Sequence, residues 1–175
     1  MTLTRPFRNF ALAMALAALL APPPALAGTM PRLEADSLGG THVVLPGDAA
    51  GKPLVILLAF TKESQDDLKE WSRKLLEDHV AGSASVYVVV VADRMAFFER
   101  RHVRKIVEGA SVGSEAQRNS NVLITFDGTG WRELVPPGDK RTAGIVVCDA
   151  DGLIVYAKRE RFNEDNLADV EKAAK

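Results

Sequence analysis

The chain has 175 residues, of which 47% are hydrophobic and 26% are charged, and its formal net charge is −1. This balance excludes bulk electrostatic attraction to nucleic acid or to an anionic membrane surface as the basis of its function. Cys148 is the single cysteine, which excludes an internal disulfide, so an apolar core must supply the stability.

The first 27 residues have the three parts of a secretory signal peptide. Arg5 and Arg8 give a positive start, an apolar run follows over 10–21, and Ala25-Leu26-Ala27 offers small residues for cleavage. A membrane anchor is the alternative, but a span needs about 20 apolar residues, and this run is shorter and is followed by three prolines. We predict cleavage after Ala27 and a soluble periplasmic or secreted product with no membrane span and a net charge of −3.

The mature protein is predicted to begin with a loose polar segment over 28–40, followed by one domain over 41–175. Thr41–Leu45 predicts a short leading strand with an exposed edge. The continuous apolar run Leu54–Phe60 favours a strand that is covered on both faces, as in a parallel sheet.

A helix is predicted next. Ser64 is a typical N-cap residue, and Asp67 three positions later completes a capping-box-like pattern. Gly82 is predicted to end this helix. Its apolar face is predicted to contain Leu68, Trp71, Leu75 and Val80.

The apolar run Ser85–Val91 predicts a second buried strand, which completes a right-handed βαβ unit. A second amphipathic helix is predicted from about Met95 to about Gly109. Its apolar side is predicted to hold Met95, Phe98, His102, Val103 and Ile106.

The C-terminal third predicts two strand–turn–strand stretches and a closing helix. In the first, Val122–Phe126 and Trp131–Val135 flank an Asp/Gly turn, and in the second, Gly144–Cys148 and Leu153–Ala157 form a β-hairpin. Asn163 is the predicted N-cap of the last helix, with Phe162 and Leu167 as a hydrophobic staple. Helices are expected on both faces of a mixed central sheet.

This order of elements resembles the thioredoxin superfamily. Within it, Ala143–Lys158, Asn163–Asn166 and Leu58–Ser64 are similar to the YtfJ-type family of periplasmic proteins. There are weaker likenesses to peroxiredoxin-like proteins and to mitochondrial factors that assemble ATP synthase. The resemblance implies an α/β fold, namely a thioredoxin-like three-layer α/β/α architecture with a mixed central sheet.

The sequence departs from the redox-active members of that superfamily at the positions of their chemistry. If Phe60 is the aromatic residue that ends the first buried strand, the two cysteine positions are occupied by Gln65 and Leu68. Gly144 stands where thioredoxins have a cis-proline beside their substrate groove. The resemblance therefore implies that the dithiol reaction is absent.

The loop of Thr61, Lys62, Glu63, Ser64 and Gln65 is the first candidate binding site. Amides at a helix N-terminus can hold an anion, with Lys62 assisting. The alternative is a well-capped helix start without a ligand. Gly144 is a second candidate, since a groove for a partner's backbone is expected beside it.

A dense basic run supplies another candidate surface. Arg100 and Arg104 share one stripe of the predicted helix, which together with Arg101 would dock an acidic partner or a phosphate group. The alternative is a solvated helix face. Cys148 is either a small buried hydrophobe or a reactive thiol.

We expect no metal and no cofactor, because His42, His79 and His102 lack ligand-like spacing. Two functions stay open. The first is a redox-inactive, non-catalytic module of the cell envelope that binds a partner protein. The second is a single-cysteine peroxidase or thiol-exchange enzyme that uses Cys148. The oligomeric state is not predicted.

Overall fold

The computed structural model describes residues 28–77, 82–94, 100–110 and 119–175. Seven strands and four α-helices with described bounds lie in these ranges, and residues 119–121 are also helical. The strands are β1 (Leu33–Asp36), β2 (His42–Leu45), β3 (Leu54–Ala59), β4 (Ser85–Val91), β5 (Val122–Thr125), β6 (Gly144–Cys148) and β7 (Ile154–Arg159). The helices are α1 (Gln65–Ser72), which a π-helical turn extends over Arg73–Glu77, α2 (Arg100–Ala110), the short α3 (Trp131–Leu134) and α4 (Glu164–Ala173).

Five strands form a mixed central sheet in the order β5-β4-β3-β6-β7. β3, β4 and β5 run parallel, with Leu54 of β3 opposite Ser85 of β4. β6 is antiparallel to β3, with Gly144 opposite Leu58, and β7 closes the sheet antiparallel to β6. Every residue of β3 and β6 is buried, which explains why both sequences are uninterrupted apolar runs.

Different elements cover the two faces of the sheet. Helices α1, α2 and α4 contribute to the apolar cluster on one face. On the other face, the β1–β2 hairpin and the short helix α3 cover the described part of the sheet, so a hairpin stands where longer helices were expected. The two strands of this hairpin bury Leu33, Val43 and Leu45 against the sheet.

The expectation that residues 28–40 are loose was wrong, because β1 lies within them. Leu33 and Ala35 alternate with exposed acidic residues, so one face of this short strand is apolar. β1 pairs antiparallel with β2, and Ser37 forms an isolated bridge to Leu123 of β5. The segment therefore belongs to the folded domain and covers the edge of β5.

Within the described residues, helices α1 and α2 present their predicted apolar residues to the core, with one exception. Trp71 and Leu75 of α1 and Val103 of α2 are buried, but His102 is exposed and does not belong to the apolar face. Val80, Met95 and Phe98 and the side chain of Ile106 lie outside the described residues. Within the ranges given above, no helix has the length and apolar character that crossing a membrane requires.

The C-terminal third agrees with the sequence in its hairpin and last helix. β6 and β7 form the predicted hairpin, and Asn163 Oδ1 accepts a hydrogen bond from the backbone amide of Asn166 at 2.7 Å, which caps α4. The segment that begins at Trp131 is the short helix α3, however, and not a strand. Because α3 turns the chain, Trp131 and Val135 both pack in the apolar cluster beneath the β1–β2 hairpin.

Candidate functional site

The carboxyl ends of the three parallel strands meet at one edge of the sheet, which we name the carboxyl edge. The loop from Phe60 follows β3, the turn at Asp93 follows β4, and α3 lies shortly after β5. The start of β6 at Gly144 and the end of β7 at Arg159 complete this edge. In open α/β sheets, ligands bind outside the carboxyl ends of the strands, so a binding site is expected at this edge.

The Thr61–Gln65 loop, the first candidate binding site, lies on the carboxyl edge, and its side chains have different roles. Ser64 is 1% exposed, and its hydroxyl donates to the backbone carbonyl of Thr61 at 2.9 Å. The Thr61 hydroxyl donates to the carbonyl of Lys140 at 2.5 Å. Lys62 and Glu63 are exposed, and Gln65, the first residue of α1, is half-buried. The outward surface of this loop is therefore formed by Lys62 and Glu63.

The predicted capping box at the start of α1 does not form. Ser64 makes no capping hydrogen bond through its hydroxyl. The carboxylate of Asp67 faces away from the helix start instead, where Oδ2 accepts from the amide of Ala143 and Oδ1 from the amide of Phe162, each at 2.8 Å. Asp67 therefore ties α1 to the residue before β6 and to the segment before α4.

Gly144 does not line an open groove. A Cβ atom there would lie 3.0 Å from Val135 Cγ1 and 3.2 Å from both Leu58 Cβ and Phe60 Cε2. The residue is buried under these side chains, so the expectation of a groove beside it was wrong. Glycine at this position lets the ring of Phe60 pack directly on the first residue of β6.

Phe60 is the centre of a charged cluster that the sequence did not predict. The guanidinium carbon of Arg159 lies 4.6 Å from the ring centroid of Phe60, and that of Arg132 lies 5.0 Å from the same centroid. These distances are within the range of cation–π attraction. We name Phe60, Asp93, Arg132 and Arg159 the arginine cluster.

Within this cluster, the guanidinium of Arg132 forms an ion pair with the carboxylate of Asp93. Its Nε donates to Asp93 Oδ2 at 2.8 Å and its Nη2 to Asp93 Oδ1 at 2.6 Å, which is the bidentate arrangement. These hydrogen bonds are the main reason that the pKa of Asp93 is lowered. A Cβ on Gly128 would overlap the Asp93 carboxylate, so glycine is needed there for the pair to form.

Arg159 has no such partner. Its Nε is buried and makes no hydrogen bond, and no carboxylate of the described residues lies within ion-pair distance of its guanidinium. Burial lowers the pKa of Arg159, and the positive charge of Arg132 lowers it further. The cluster therefore combines one neutralised arginine with one uncompensated arginine.

Cys148 lies at the opposite end of the sheet from this cluster. It is opposite Leu54, the first residue of β3, and it is 0% exposed. Burial, together with the negative charge of Asp149, raises the pKa of the thiol to about 11. A thiolate is the reactive form of cysteine, so this environment leaves the thiol protonated and shielded at neutral pH.

The basic stripe of α2 is not a free surface at Arg104. The Arg104 guanidinium donates to the backbone carbonyls of Leu38 and, at 3.3 Å, of Ser37. This arginine therefore fastens α2 to the segment that follows β1, and its role in partner binding stays a prediction. The side chains of Arg100 and Arg101 lie outside the described part of the protein.

No protein-family model and no curated protein sequence matches this chain. Solved structures do match its fold. One is the exposed lipoprotein thioredoxin Etrx1 of Streptococcus pneumoniae, which is 16% identical, with a TM-score of 0.59 over 81% of the present protein and 98% of the S. pneumoniae protein. The fold is thioredoxin-like.

Two further thioredoxin-like structures agree with this assignment. The thioredoxin domain of a thiol-disulfide oxidoreductase from Bacteroides vulgatus is 18% identical, and the match covers 87% of the present protein and 100% of that domain with a TM-score of 0.55. A SCO1/SenC family lipoprotein from Bacillus anthracis is 13% identical. This match covers 89% of the present protein and 100% of the B. anthracis protein, with a TM-score of 0.56. At these identities, the likeness extends to the fold alone.

Proposed function

We propose that this chain is an exported, redox-inactive thioredoxin-like protein that binds a partner protein in the cell envelope, with the carboxyl edge as its binding face. The observation that carries the proposal is the position of the one thiol. Cys148 is buried at the end of the sheet opposite the carboxyl edge. The resemblance to thioredoxins implies that Gln65 and Leu68 of α1 occupy the two dithiol positions.

A binding role is favoured over the single-cysteine enzyme by physical chemistry. Peroxide reduction and thiol exchange both begin with a thiolate that reaches its substrate. Cys148 offers neither ionisation nor access, because burial raises its pKa to about 11 and leaves 0% of the residue exposed. The carboxyl edge, in contrast, has the exposed residues Lys62, Glu63 and Lys140, and it also holds the arginine cluster.

Export is part of the proposal and is supported by the residues before Gly28. The positive start, short apolar run and Ala25-Leu26-Ala27 sequence are typical of a signal that is removed during secretion. The S. pneumoniae protein of similar fold is an exposed lipoprotein, which agrees with this proposal. The present sequence has no cysteine near the cleavage position to accept a lipid.

Site-specific photo-crosslinking tests the binding face. A photoreactive amino acid is introduced at Lys62 and, in a second variant, at Lys140, both exposed at the carboxyl edge. Asp151, exposed in the turn between β6 and β7 at the other end of the sheet, is the matched control position. After irradiation of intact cells, we expect the same adduct from Lys62 and Lys140 and none from Asp151.

Two outcomes would contradict the proposed face. The first is the absence of any adduct from both edge positions while the protein is present at its normal level. The second is an adduct of equal yield from Asp151, which would show contact without a preferred face.

A further inference from the structure

The guanidinium of Arg159 is a half-buried positive charge, which is unfavourable unless an anion pairs with it. Its Nε is buried without a hydrogen-bond acceptor, and none of the described carboxylates pairs with its guanidinium. Buried polar groups in folded proteins nearly always have a partner, and an unpaired half-buried cation is unfavourable. The exception here lies on the carboxyl edge, where ligands of α/β sheets bind.

The surroundings of Arg159 hold its guanidinium in place. The ring of Phe60 supports it at 4.6 Å, and a Cβ on Gly138 would lie 2.9 Å from Arg159 Cδ, so the 136–143 loop packs directly on the arginine stem. Phe60 is itself fixed against Gly144, where Cε2 lies 3.2 Å from the position of a Cβ. An arginine held in this way loses little conformational freedom when it binds a ligand.

The charge of the arginine cluster selects the kind of anion. Asp93 neutralises Arg132 through a bidentate pair, so the cluster keeps a single positive charge at Arg159. One fork-shaped guanidinium with one net charge suits a planar monoanion. A dianionic phosphate group would leave one negative charge uncompensated beside Asp93.

We propose that Arg159, supported on Phe60, is the receptor for a carboxylate group of the partner protein. This inference rests on the proposed function and names the chemistry that the binding face recognises. The carboxylate belongs either to the C-terminus of the partner or to an aspartate or glutamate side chain, and the test separates these two sources.

The test is a titration followed by the Nε–H resonance of Arg159 in nitrogen-15 spectra, assigned through its loss in Arg159→Gln. The probes are N-acetylglycine, which mimics a polypeptide C-terminus, and N-acetylaspartate amide, which mimics an acidic side chain. Neutral N-acetylglycinamide is the control probe. We expect a saturable shift with at least one carboxylate and none with the amide, and the tighter of the two carboxylates identifies the source.

Variants extend the test beyond one resonance. Arg159→Gln should weaken carboxylate binding, measured by calorimetry, by about tenfold or more, as expected for loss of a charge-assisted hydrogen bond. Arg161→Gln is the matched control, since Arg161 is exposed and pairs with Asp139 at 3.4 Å, and it should leave the dissociation constant unchanged. Asp93→Asn releases Arg132 as a second free cation and should tighten binding several-fold.

Three results would overturn the inference. They are an Arg159 resonance that no carboxylate shifts, binding that Arg159→Gln leaves intact, and inorganic phosphate binding more tightly than both carboxylates in the wild type. This experiment needs no partner protein, so its failure beside a positive crosslink at Lys62 would remove the inference and leave the proposed function standing.

Discussion

At the residue scale, Asp67 shows how one carboxylate organises a junction between distant segments. Its two oxygens accept from the amides of Ala143 and Phe162, which are 76 and 95 positions further along the sequence. Both amides lie just outside the regular strands and helices, so Asp67 satisfies donors that the fold otherwise leaves open. Its neighbour Asp66 is fully exposed and reaches Lys69 only at 3.9 Å.

Replacement of Asp67 by alanine should therefore lower the free energy of unfolding by about 2–3 kcal/mol, because two partly buried amides lose a charged acceptor. Urea denaturation followed by circular dichroism measures this difference. Asp66→Ala is the matched control and should stay close to the wild type. Equal effects of the two substitutions would mean that the Asp67 hydrogen bonds do not stabilise the junction.

The thiol of Cys148 gives a second prediction at this scale, which concerns pH. Its pKa rises from 9.0 to about 11 in the folded protein because the side chain is buried. The folded state therefore keeps the proton more tightly than the unfolded state. The protonated thiol therefore makes its full contribution to the free energy of unfolding below pH 9.0, and this contribution is lost as the pH rises toward 11.

Comparison with Cys148→Ala isolates this contribution from other groups that titrate at high pH. The variant should be less stable than the wild type near neutral pH because it leaves a cavity. The difference in the free energy of unfolding between the wild type and the variant should be smaller by about 1 kcal/mol at about pH 10, because only the wild type loses stability when the thiol ionises. A deficit that stays constant with pH would mean that the folded thiol ionises as readily as the unfolded one.

At the scale of elements, Arg104 joins helix α2 to the segment that leaves β1. It donates to the carbonyls of Ser37 and Leu38, two residues that are themselves buried. Leu38 also donates its amide to the carbonyl of Val122 in β5 at 3.0 Å. One arginine therefore supports the contact between α2, the β1–β2 hairpin and the outer strand β5.

Arg104→Ala should lower the free energy of unfolding by about 1–2 kcal/mol, because buried carbonyls lose a charged donor. Lys105 follows on the same helix and is exposed, so Lys105→Ala is the matched control and should have little effect. Thermal denaturation of both variants makes the comparison. If Lys105→Ala were as destabilising as Arg104→Ala, helix charge and not the carbonyl contact would explain the loss.

The elements that the sequence predicts are those with a strong local pattern. The runs of β3, β4 and β6 and the capped start of α4 are visible in consecutive residues, and the structure confirms them. β1 was missed because its alternation covers only four residues, Leu33–Asp36. The segment at Trp131 is equally short and has no period that separates a helical turn from a strand.

The candidate site was less visible in the sequence, because it depends on contacts between distant segments. The Thr61–Gln65 loop was located through its position after a buried strand. The arginine cluster combines Phe60, Asp93, Arg132 and Arg159 from four places in the sequence, and no motif links these four residues. The one local sign was Gly128, whose lack of a side chain makes room for Asp93.

At the scale of the whole molecule, the fold separates the thiol from the carboxyl edge. The central sheet places Cys148 at one end and the arginine cluster at the other, with the buried strands β3 and β6 between them. Proteins of similar fold that are described as thiol-disulfide oxidoreductases share the architecture, but the present sequence has only one cysteine. This difference is one ground for the proposal made above, in which the scaffold serves recognition.

The most direct test of a recognition role without thiol chemistry is the state of Cys148 in protein taken straight from cells. Envelope protein is treated with an alkylating reagent, first in its native state and then after denaturation, and its intact mass is measured. We predict an unmodified protein that begins at Gly28 and a Cys148 that is alkylated only after denaturation. A mixed disulfide, an oxidised sulfur or rapid native alkylation at Cys148 would contradict this prediction.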